Sequence, residues 1–388
     1  MTVAAADRLS QLPPYLFVEI DRAKADAVAA GRDVIDFGVG DPDRPPPEFI
    51  TECMAAAVRD PANHAYAPSR GTPAFRRAAA EFLRRRFDVA VDYDTEIVAL
   101  IGAKEGIGHL PTALINPGDV VLCPAPGYPV YTSGTVFAAG TVYTMPLAES
   151  NAWLPALNDI PPGVRRAAKL MYLNYPNNPT AAVAPLAFFN DAVEFAREHH
   201  ILIAHDAAYT EIYFNEPPPS ILQIDGACEI AIEFHSLSKT FNMTGWRLAF
   251  AAGNADALTA LATVKSNLDS GAFKPVQEAG AAALSGLGRP EILAQRDTYR
   301  RRRDALVMGL REAGWSVTSP EATIYVWARC PAGIDSMTTA ARLLSDADVV
   351  AIPGVGMGQH GEGYLRFALT IGEDRIREAA GRIARLNW

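Results

Sequence analysis

The sequence HSLSKTFNMTGWR, residues 235–247, is the most specific pattern in this chain. It follows an apolar run and places Lys239, one of only six lysines in 388 residues, among hydroxyl side chains. Arginine keeps its charge near neutral pH, whereas a partly desolvated lysine can lose its proton and condense with a carbonyl. The stretch therefore predicts that Lys239 is a Schiff-base residue at the end of a buried strand.

Two serines and an arginine surround this lysine in the sequence. Ser236, Ser238 and Arg247 offer two hydroxyls and a bidentate guanidinium, which suit a phosphate attached to an aldehyde. Pyridoxal phosphate carries both of these groups, so the pattern predicts it as the cofactor. A surface turn is the alternative if the S-x-S-K motif is taken alone.

A second motif, HDAAY at residues 205–209, ends a run typical of a buried strand. An aspartate has no packing reason to stand there, but its carboxylate can hold a pyridine nitrogen protonated. Asp206 is therefore predicted to strengthen the cofactor as an electron sink, and Tyr209 to donate to the ring's phenolate oxygen. A helix N-cap at Asp206 is the alternative.

Two loops complete the predicted site. In NYPNNPT, residues 174–180, Asn178 can reach the same phenolate oxygen, although the segment also fits an ordinary turn. GAKEG, residues 102–106, leads into a helical pattern whose free backbone N–H groups can bind a phosphate. This places Ala103 and Lys104 at the phosphate, on a signal that is weak by itself.

Composition excludes several classes of protein. The chain is 49% hydrophobic and 20% charged, with a formal net charge of −9, so nucleic acid and anionic membranes are not predicted as partners. It lacks an apolar run long enough for a membrane span and an N-terminal signal pattern. Four scattered cysteines and seven histidines without metal-ligand spacing predict a cytoplasmic protein that binds no metal.

The order of predicted elements indicates an α/β fold. Apolar strand patterns alternate with helical patterns up to about residue 275, which favours a mostly parallel central sheet flanked by helices. Beyond that point the pattern changes to that of a smaller α+β domain. We therefore expect an N-terminal arm (1–45) that packs with the small domain, a large cofactor-binding domain (46–275) and a small C-terminal domain (276–388).

Together these motifs resemble the class I, fold-type I pyridoxal phosphate aminotransferases, and the resemblance covers essentially the whole chain. Within that class the chain is most similar to the LL-diaminopimelate aminotransferase group. The similarity to this group lies in LPPYLFVEI (12–20), FGVGDPD (37–43), KSNLDSG (265–271) and GEGYLRF (361–367), with the motifs quoted above.

The resemblance implies a role for each matching residue. Lys239 forms the internal aldimine and shuttles the proton between the substrate α-carbon and the cofactor. Asp206 holds the pyridinium, Asn178 and Tyr209 bind the ring oxygen, and Tyr128, in PGYP at 126–129, stacks on the ring. The implied phosphate ligands are Ala103, Lys104, Ser236, Ser238 and Arg247. The implied substrate-binding residues are Tyr15, Gly40, Asn178 and Arg366.

A homodimer is also implied, because Tyr66 matches a tyrosine of the family that reaches the phosphate in the partner subunit. The enzymes of this class transfer an amino group between an L-amino acid and 2-oxoglutarate or glutamate in a ping-pong reaction. The resemblance thus implies small amino acids and 2-oxo acids as substrates.

Two departures concern the choice of substrate. Arg70, in APSRG at 67–71, stands where diaminopimelate enzymes usually present a glutamate, and Ala181 stands where they have glycine. If Arg70 enters the pocket, it favours a donor with a distal carboxylate. Both features resemble alanine (glutamate–pyruvate) aminotransferases, which remain the alternative. A lyase that uses the same cofactor residues is a further, weaker one.

Overall fold

The computed structural model describes residues 3–12 and 17–388. In chain order, the α-helices within these residues are α1 (Phe17–Ala29), α2 (Glu48–Ala57), α3 (Pro73–Phe87), α4 (Ala103–Leu114), α5 (Val130–Phe137), α6 (Pro162–Ala167), α7 (Leu186–His199), α8 (Leu237–Thr240), α9 (Ala255–Leu268), α10 (Lys274–Ser285), α11 (Pro290–Glu312), α12 (Ser336–Ala347) and α13 (Glu373–Ile383). The strands are β1 (Ile35–Asp36), β2 (Ile97–Leu100), β3 (Val120–Ala125), β4 (Thr141–Pro146), β5 (Ala168–Asn174), β6 (Leu202–Asp206), β7 (Ala231–Ser236), β8 (Ala249–Gly253), β9 (Tyr325–Arg329), β10 (Val349–Val350), β11 (Ile352–Pro353) and β12 (Tyr364–Ala368).

A central sheet of seven strands has the order β2-β8-β7-β6-β5-β3-β4. Strand β8 runs antiparallel to both of its neighbours, and the remaining pairs are parallel. All residues of β2 and β8 are buried, as expected for a sheet covered by helices on both faces. The predicted α/β fold with a mostly parallel sheet is confirmed.

A second, smaller sheet has the order β11-β12-β9 and is antiparallel. Its core contains the fully buried Leu306, Phe367 and Ile376, and Phe37 from the N-terminal segment belongs to the same cluster. Strand β1 pairs in parallel with β10, which ties that segment to the C-terminal region. The predicted domain boundaries stay a prediction. None of the helices in the described part of the chain is long and apolar enough to cross a membrane.

The carboxyl ends of β5, β6 and β7 lie side by side at one edge of the central sheet. Asn174, the last residue of β5, is paired with Asp206, the last residue of β6, and β7 ends at Ser236. The sheet order thus brings together residues that are about thirty positions apart in the sequence. In open α/β sheets, this edge is where ligands bind.

Candidate active site

A cavity of about 680 Å³ opens at this edge of the central sheet, next to the small three-stranded sheet. Most of the residues that the sequence marked as functional line it. They are Gly40, Ala103, Lys104, Tyr128, Asn178, Asp206, Tyr209, Ser236, Ser238, Lys239, Arg247 and Arg366. One chain therefore brings the candidate amine, carboxylate, phosphate ligands and carboxylate-binding arginine into a single space.

Lys239 lies in the single turn of α8, directly after β7. Its Nζ donates a hydrogen bond of 2.6 Å to the backbone carbonyl of Gly40. Burial lowers the pKa of this amine, and Arg247 and Arg366 act in the same direction against Tyr325 and Asp41. A lower pKa enlarges the neutral fraction of the amine near neutral pH, which is the form that attacks a carbonyl.

Asp206 is buried at the end of β6 with two hydrogen-bond donors. Its Oδ2 accepts from the Tyr131 hydroxyl at 2.8 Å and its Oδ1 accepts from the Ala208 N–H at 3.2 Å. Burial raises the pKa of the carboxyl, and both donors oppose that rise. The residues after Asp206 form a turn, so the N-cap alternative has no helix to cap. A buried carboxylate held in this way favours a cationic partner in the cavity.

Tyr131, which the sequence analysis missed, holds this carboxylate from α5. Its ring stacks on Tyr172, with centroids 4.9 Å apart, and Tyr172 donates to the carbonyl of Ile107 at 2.8 Å. Burial and the neighbouring Asp206 raise the pKa of Tyr131, which keeps it protonated as a donor. Its position three residues after Tyr128 was the only signal in the sequence.

The wall opposite the large sheet carries Arg366 on β12. Its Nη1 donates to Asn178 Oδ1 at 3.0 Å and its Nη2 donates to the Gly38 carbonyl at 2.9 Å. The guanidinium lies over the ring of Tyr325, with Cζ 4.4 Å from the centroid. A planar cation beside an amide suits an α-carboxylate. Tyr325 lines the cavity and was not predicted from the sequence.

The phosphate end of the cavity forms where α4 begins. Gly102 precedes the helix with φ of +76°, and a Cβ at this position would lie 2.2 Å from Arg247 Nη2. The guanidinium therefore sits directly against the backbone that leads into α4, whose first N–H groups have no partner within the helix. Ser236, Ser238 and Lys104 line the same cavity. This set of donors and cations fits a phosphate, and with Lys239 and Asp206 it fits pyridoxal phosphate.

Two predicted residues lie outside the cavity, and a third is not among the described residues. Tyr66 does not line the cavity, and its side chain is 86% exposed. Arg70 is also absent from the cavity wall, and its guanidinium donates to the Thr95 carbonyl at 2.6 Å and to Thr259 Oγ1 at 3.3 Å. Tyr15 lies outside the described residues. The roles given to these three residues stay predictions.

A group of carboxylates and a histidine with metal-ligand geometry lies beside the start of α4. It consists of Glu105, His109 and Asp269. The buried ammonium of Lys265 is 3.0 Å from a Glu105 oxygen and 3.2 Å from an Asp269 oxygen. This internal cation already compensates the acidic charge, so the group is explained as an ion-pair cluster.

The chain is similar to known proteins along nearly its whole length. Residues 32–383 match the family model of the class I and II aminotransferases. The LL-diaminopimelate aminotransferases of Aquifex aeolicus (strain VF5) and Desulforudis audaxviator (strain MP104C) are 49% and 51% identical to it. The first covers 98% of both chains, and the second covers 99% of this chain and 98% of the relative. The substrate-bound structure of BacF from Bacillus subtilis is 38% identical with a TM-score of 0.95, over 100% of this chain and 99% of BacF.

Proposed function

This chain belongs to the class I and II aminotransferases, which are pyridoxal phosphate-dependent transaminases, and we propose that it transfers an amino group between LL-diaminopimelate and 2-oxoglutarate. The identity of about half of all residues with relatives named for that donor carries the proposal. The proposed activity belongs to lysine biosynthesis.

We assign the chemistry to the residues that meet in the cavity. The bound cofactor supplies an aldehyde that takes up the amino group and a pyridine ring that withdraws electrons. Lys239 would hold the cofactor through its amine and, once released by the substrate, would carry the proton from the substrate α-carbon. The lowered pKa of this lysine suits it as a base near neutral pH. Asp206 keeps the pyridine nitrogen protonated.

The remaining groups bind and orient the ligands. Asn178 and Tyr209 donate to the ring oxygen, Tyr128 covers the ring, and Arg366 with Asn178 binds the α-carboxylate. The proposed phosphate ligands are Ala103, Lys104, Ser236, Ser238 and Arg247. Amino donors and 2-oxo acids carry the same α-carboxylate, so one arginine serves both halves of a ping-pong reaction.

We also propose a homodimer with shared sites. Tyr66 is a tyrosine with 86% exposure that lies outside its own cavity. A large aromatic side chain in that position gains from burial against another surface, and its hydroxyl can then reach the partner's phosphate. The resemblance to the family supports the same assignment.

Alanine remains a second candidate donor, favoured by one local observation. Ala181 has φ of +60°, in the left-handed region where a glycine is unstrained. The loop that carries Asn178 thus keeps its backbone shape while departing from the glycine usual in diaminopimelate enzymes. This departure follows the pattern of the alanine aminotransferases noted in the sequence.

A set of matched donors tests the proposal. With 2-oxoglutarate as acceptor, we expect kcat/KM for LL-diaminopimelate to exceed that for L-lysine, which lacks only the distal carboxylate, and that for L-2-aminopimelate, which lacks only the distal amine. Each loss should cost about a hundredfold or more, because it leaves polar groups of the site unpaired.

The same measurements separate the alternatives. A higher kcat/KM for L-alanine than for LL-diaminopimelate would replace the proposed donor with the alternative one. A lyase would be identified with a donor that carries a β leaving group, such as S-methyl-L-cysteine, by release of methanethiol, ammonia and pyruvate without formation of glutamate.

A further inference from the structure

Tyr325, the first residue of β9, touches groups at both ends of the reacting centre. It lines the cavity and is only 3% exposed. Its hydroxyl lies 3.0 Å from that of Tyr209, and its ring lies under the guanidinium of Arg366. None of the roles assigned above includes this residue.

Only one direction of the hydrogen bond between the two hydroxyls is compatible with the proposed role of Tyr209. Each phenol carries one proton, and burial together with Tyr325 raises the pKa of Tyr209, so Tyr209 stays protonated. If Tyr209 donates its proton to the ring oxygen of the cofactor, it can only accept from Tyr325. A donor that is itself polarised by a second donor forms a stronger hydrogen bond. The Tyr325 proton therefore sets both the direction and the strength of the Tyr209 hydrogen bond.

The aromatic ring of Tyr325 serves the other end. Arg366 Cζ is 4.4 Å from the ring centroid, a cation–π geometry that fixes the plane of the guanidinium. The strand register explains the contact, because Tyr325 pairs with Ala368 and Trp327 pairs with Arg366, two positions along the same face. Replacing the ring by an aliphatic side chain would leave this plane less defined.

The backbone around Tyr325 is built for this placement. A Cβ on Gly40 would lie 2.2 Å from the Tyr325 hydroxyl oxygen, so only glycine permits the approach of that loop. The Gly40 carbonyl is the group that accepts from Lys239. On the other side, the N–H of Tyr325 donates to Thr323 Oγ1 at 3.1 Å, and Thr323 has φ of +74°. These contacts fix Tyr325 between Tyr209, which its hydroxyl contacts, and Arg366, which lies over its ring.

We propose that Tyr325 is a positioning residue that directs the Tyr209 hydrogen bond to the cofactor ring and orients Arg366 for the α-carboxylate. This inference rests on the proposed roles of Tyr209 and Arg366, but it does not depend on which amino donor the enzyme uses. Its hydroxyl and its ring act at different ends, so two substitutions separate them.

The hydroxyl is tested by Tyr325→Phe in protein loaded with pyridoxal phosphate and kept free of substrate. Loss of the polarising donor weakens the Tyr209 hydrogen bond, so the negative ring oxygen is less stabilised and the neighbouring imine holds its proton more tightly. The pKa of the yellow chromophore, followed by absorbance, should rise by about half a unit. The protonated form of the imine then persists to higher pH than in the wild type.

The matched control is Tyr175→Phe, which removes a buried hydroxyl that donates to the Trp153 carbonyl at 2.7 Å outside the cavity. The control should titrate like the wild type. An unchanged chromophore pKa in Tyr325→Phe, or an equal shift in the control, would overturn the role of the hydroxyl. If the yellow protein used a donor other than LL-diaminopimelate, the proposed substrate would be wrong, but the titration of the chromophore would still test Tyr325.

The ring is tested by Tyr325→Leu. We expect KM to rise about tenfold for the amino acid and the 2-oxo acid alike, because both present an α-carboxylate to Arg366. Tyr325→Phe keeps the ring and should leave both KM values near those of the wild type. If Tyr325→Leu, shown to be folded and to hold its cofactor, had unchanged KM values, the role in orienting Arg366 would be wrong.

Discussion

The cavity and the segment at residues 64–71 differ in how completely a single chain builds them. The cavity collects groups from three strand ends of the large sheet, the start of α4 and the small sheet, and Asp206, Asn178 and Arg366 are buried there. The segment presents an exposed Tyr66 and an Arg70 whose guanidinium donates to the Thr95 carbonyl and to Thr259 Oγ1. The residues proposed to bind the cofactor and the α-carboxylate therefore meet within one chain, whereas Tyr66 and Arg70 lie outside this cavity.

Burial also changes the titration of the groups in the cavity. In the cavity it lowers the pKa of Lys239 and raises the pKa of Asp206, so both shifts favour the neutral form of the group. A ligand with a cationic ring nitrogen and an anionic phosphate supplies opposite charges, which favour the ionised forms that burial disfavours. Substitutions of these cavity residues should accordingly have larger effects than a substitution of Arg70 in the segment.

The largest effect is expected for Lys239→Ala. Without an amine to form the Schiff base and move the α-proton, kcat should fall by about 10³–10⁴-fold or more. Steady-state transamination and the yellow absorbance of the purified protein measure the loss. Lys274→Ala is the control, since this lysine donates to the Ala62 carbonyl away from the cavity and should keep full activity. Retained turnover in Lys239→Ala would overturn the role proposed for Lys239.

A smaller effect is expected for Tyr131→Phe, which acts on the cavity through Asp206. Removal of the 2.8 Å hydrogen bond to Asp206 leaves burial less opposed, so the pKa of the carboxyl rises further. Because the ionised carboxylate is the active form, activity should be lost at higher pH as the solution is acidified. We expect the acidic limb of kcat/KM to move up by about one unit, which corresponds to one charge-assisted hydrogen bond. A pH profile that superimposes on the wild type would show that Tyr131 does not support the charge of Asp206.

The two tyrosines that the sequence did not reveal show where such prediction stops. Asp206 was recognised because an aspartate at the end of an apolar strand has no packing explanation, and Ser236 because it stands beside Lys239 in the S-x-S-K motif. Tyr131 and Tyr325 fit ordinary core positions, and their partners are 75 and 116 residues away in the sequence. The fold class followed from the strand and helix pattern alone, but these contacts depend on the order of strands and on how the small sheet faces the large one.

A moderate recovery of activity is expected for Tyr66, in the segment, if this residue acts in the partner's site. Mixing inactive Lys239→Ala with an inactive Tyr66→Phe variant should restore about a quarter of wild-type activity, because random exchange makes half of the dimers mixed and one of their two sites is intact. The assay follows glutamate formation after verified subunit exchange.

The control for this mixing uses two lesions within one cavity. In mixed dimers of Lys239→Ala and Asp206→Ala, every site carries one lesion, so no activity should return. Recovery in this control, or none with Tyr66→Phe, would contradict the shared site.

The smallest effect is expected for Arg70→Glu. The arginine is bonded to Thr95 and Thr259, and Thr95 precedes β2, whereas the cavity begins at the opposite end of that strand near Gly102. The ratio of kcat/KM for LL-diaminopimelate to that for alanine should therefore change by less than about threefold. A charge that faced the distal ammonium in a partly desolvated site would instead cost on the order of a few kcal/mol, and its reversal would shift the ratio by tenfold or more. Arg70→Gln removes the positive charge without adding a carboxylate, so it separates loss of repulsion from gain of attraction. If both variants raise the ratio, Arg70 repels the distal ammonium from the partner's side. The segment would then share the electrostatic role that is here assigned to the cavity.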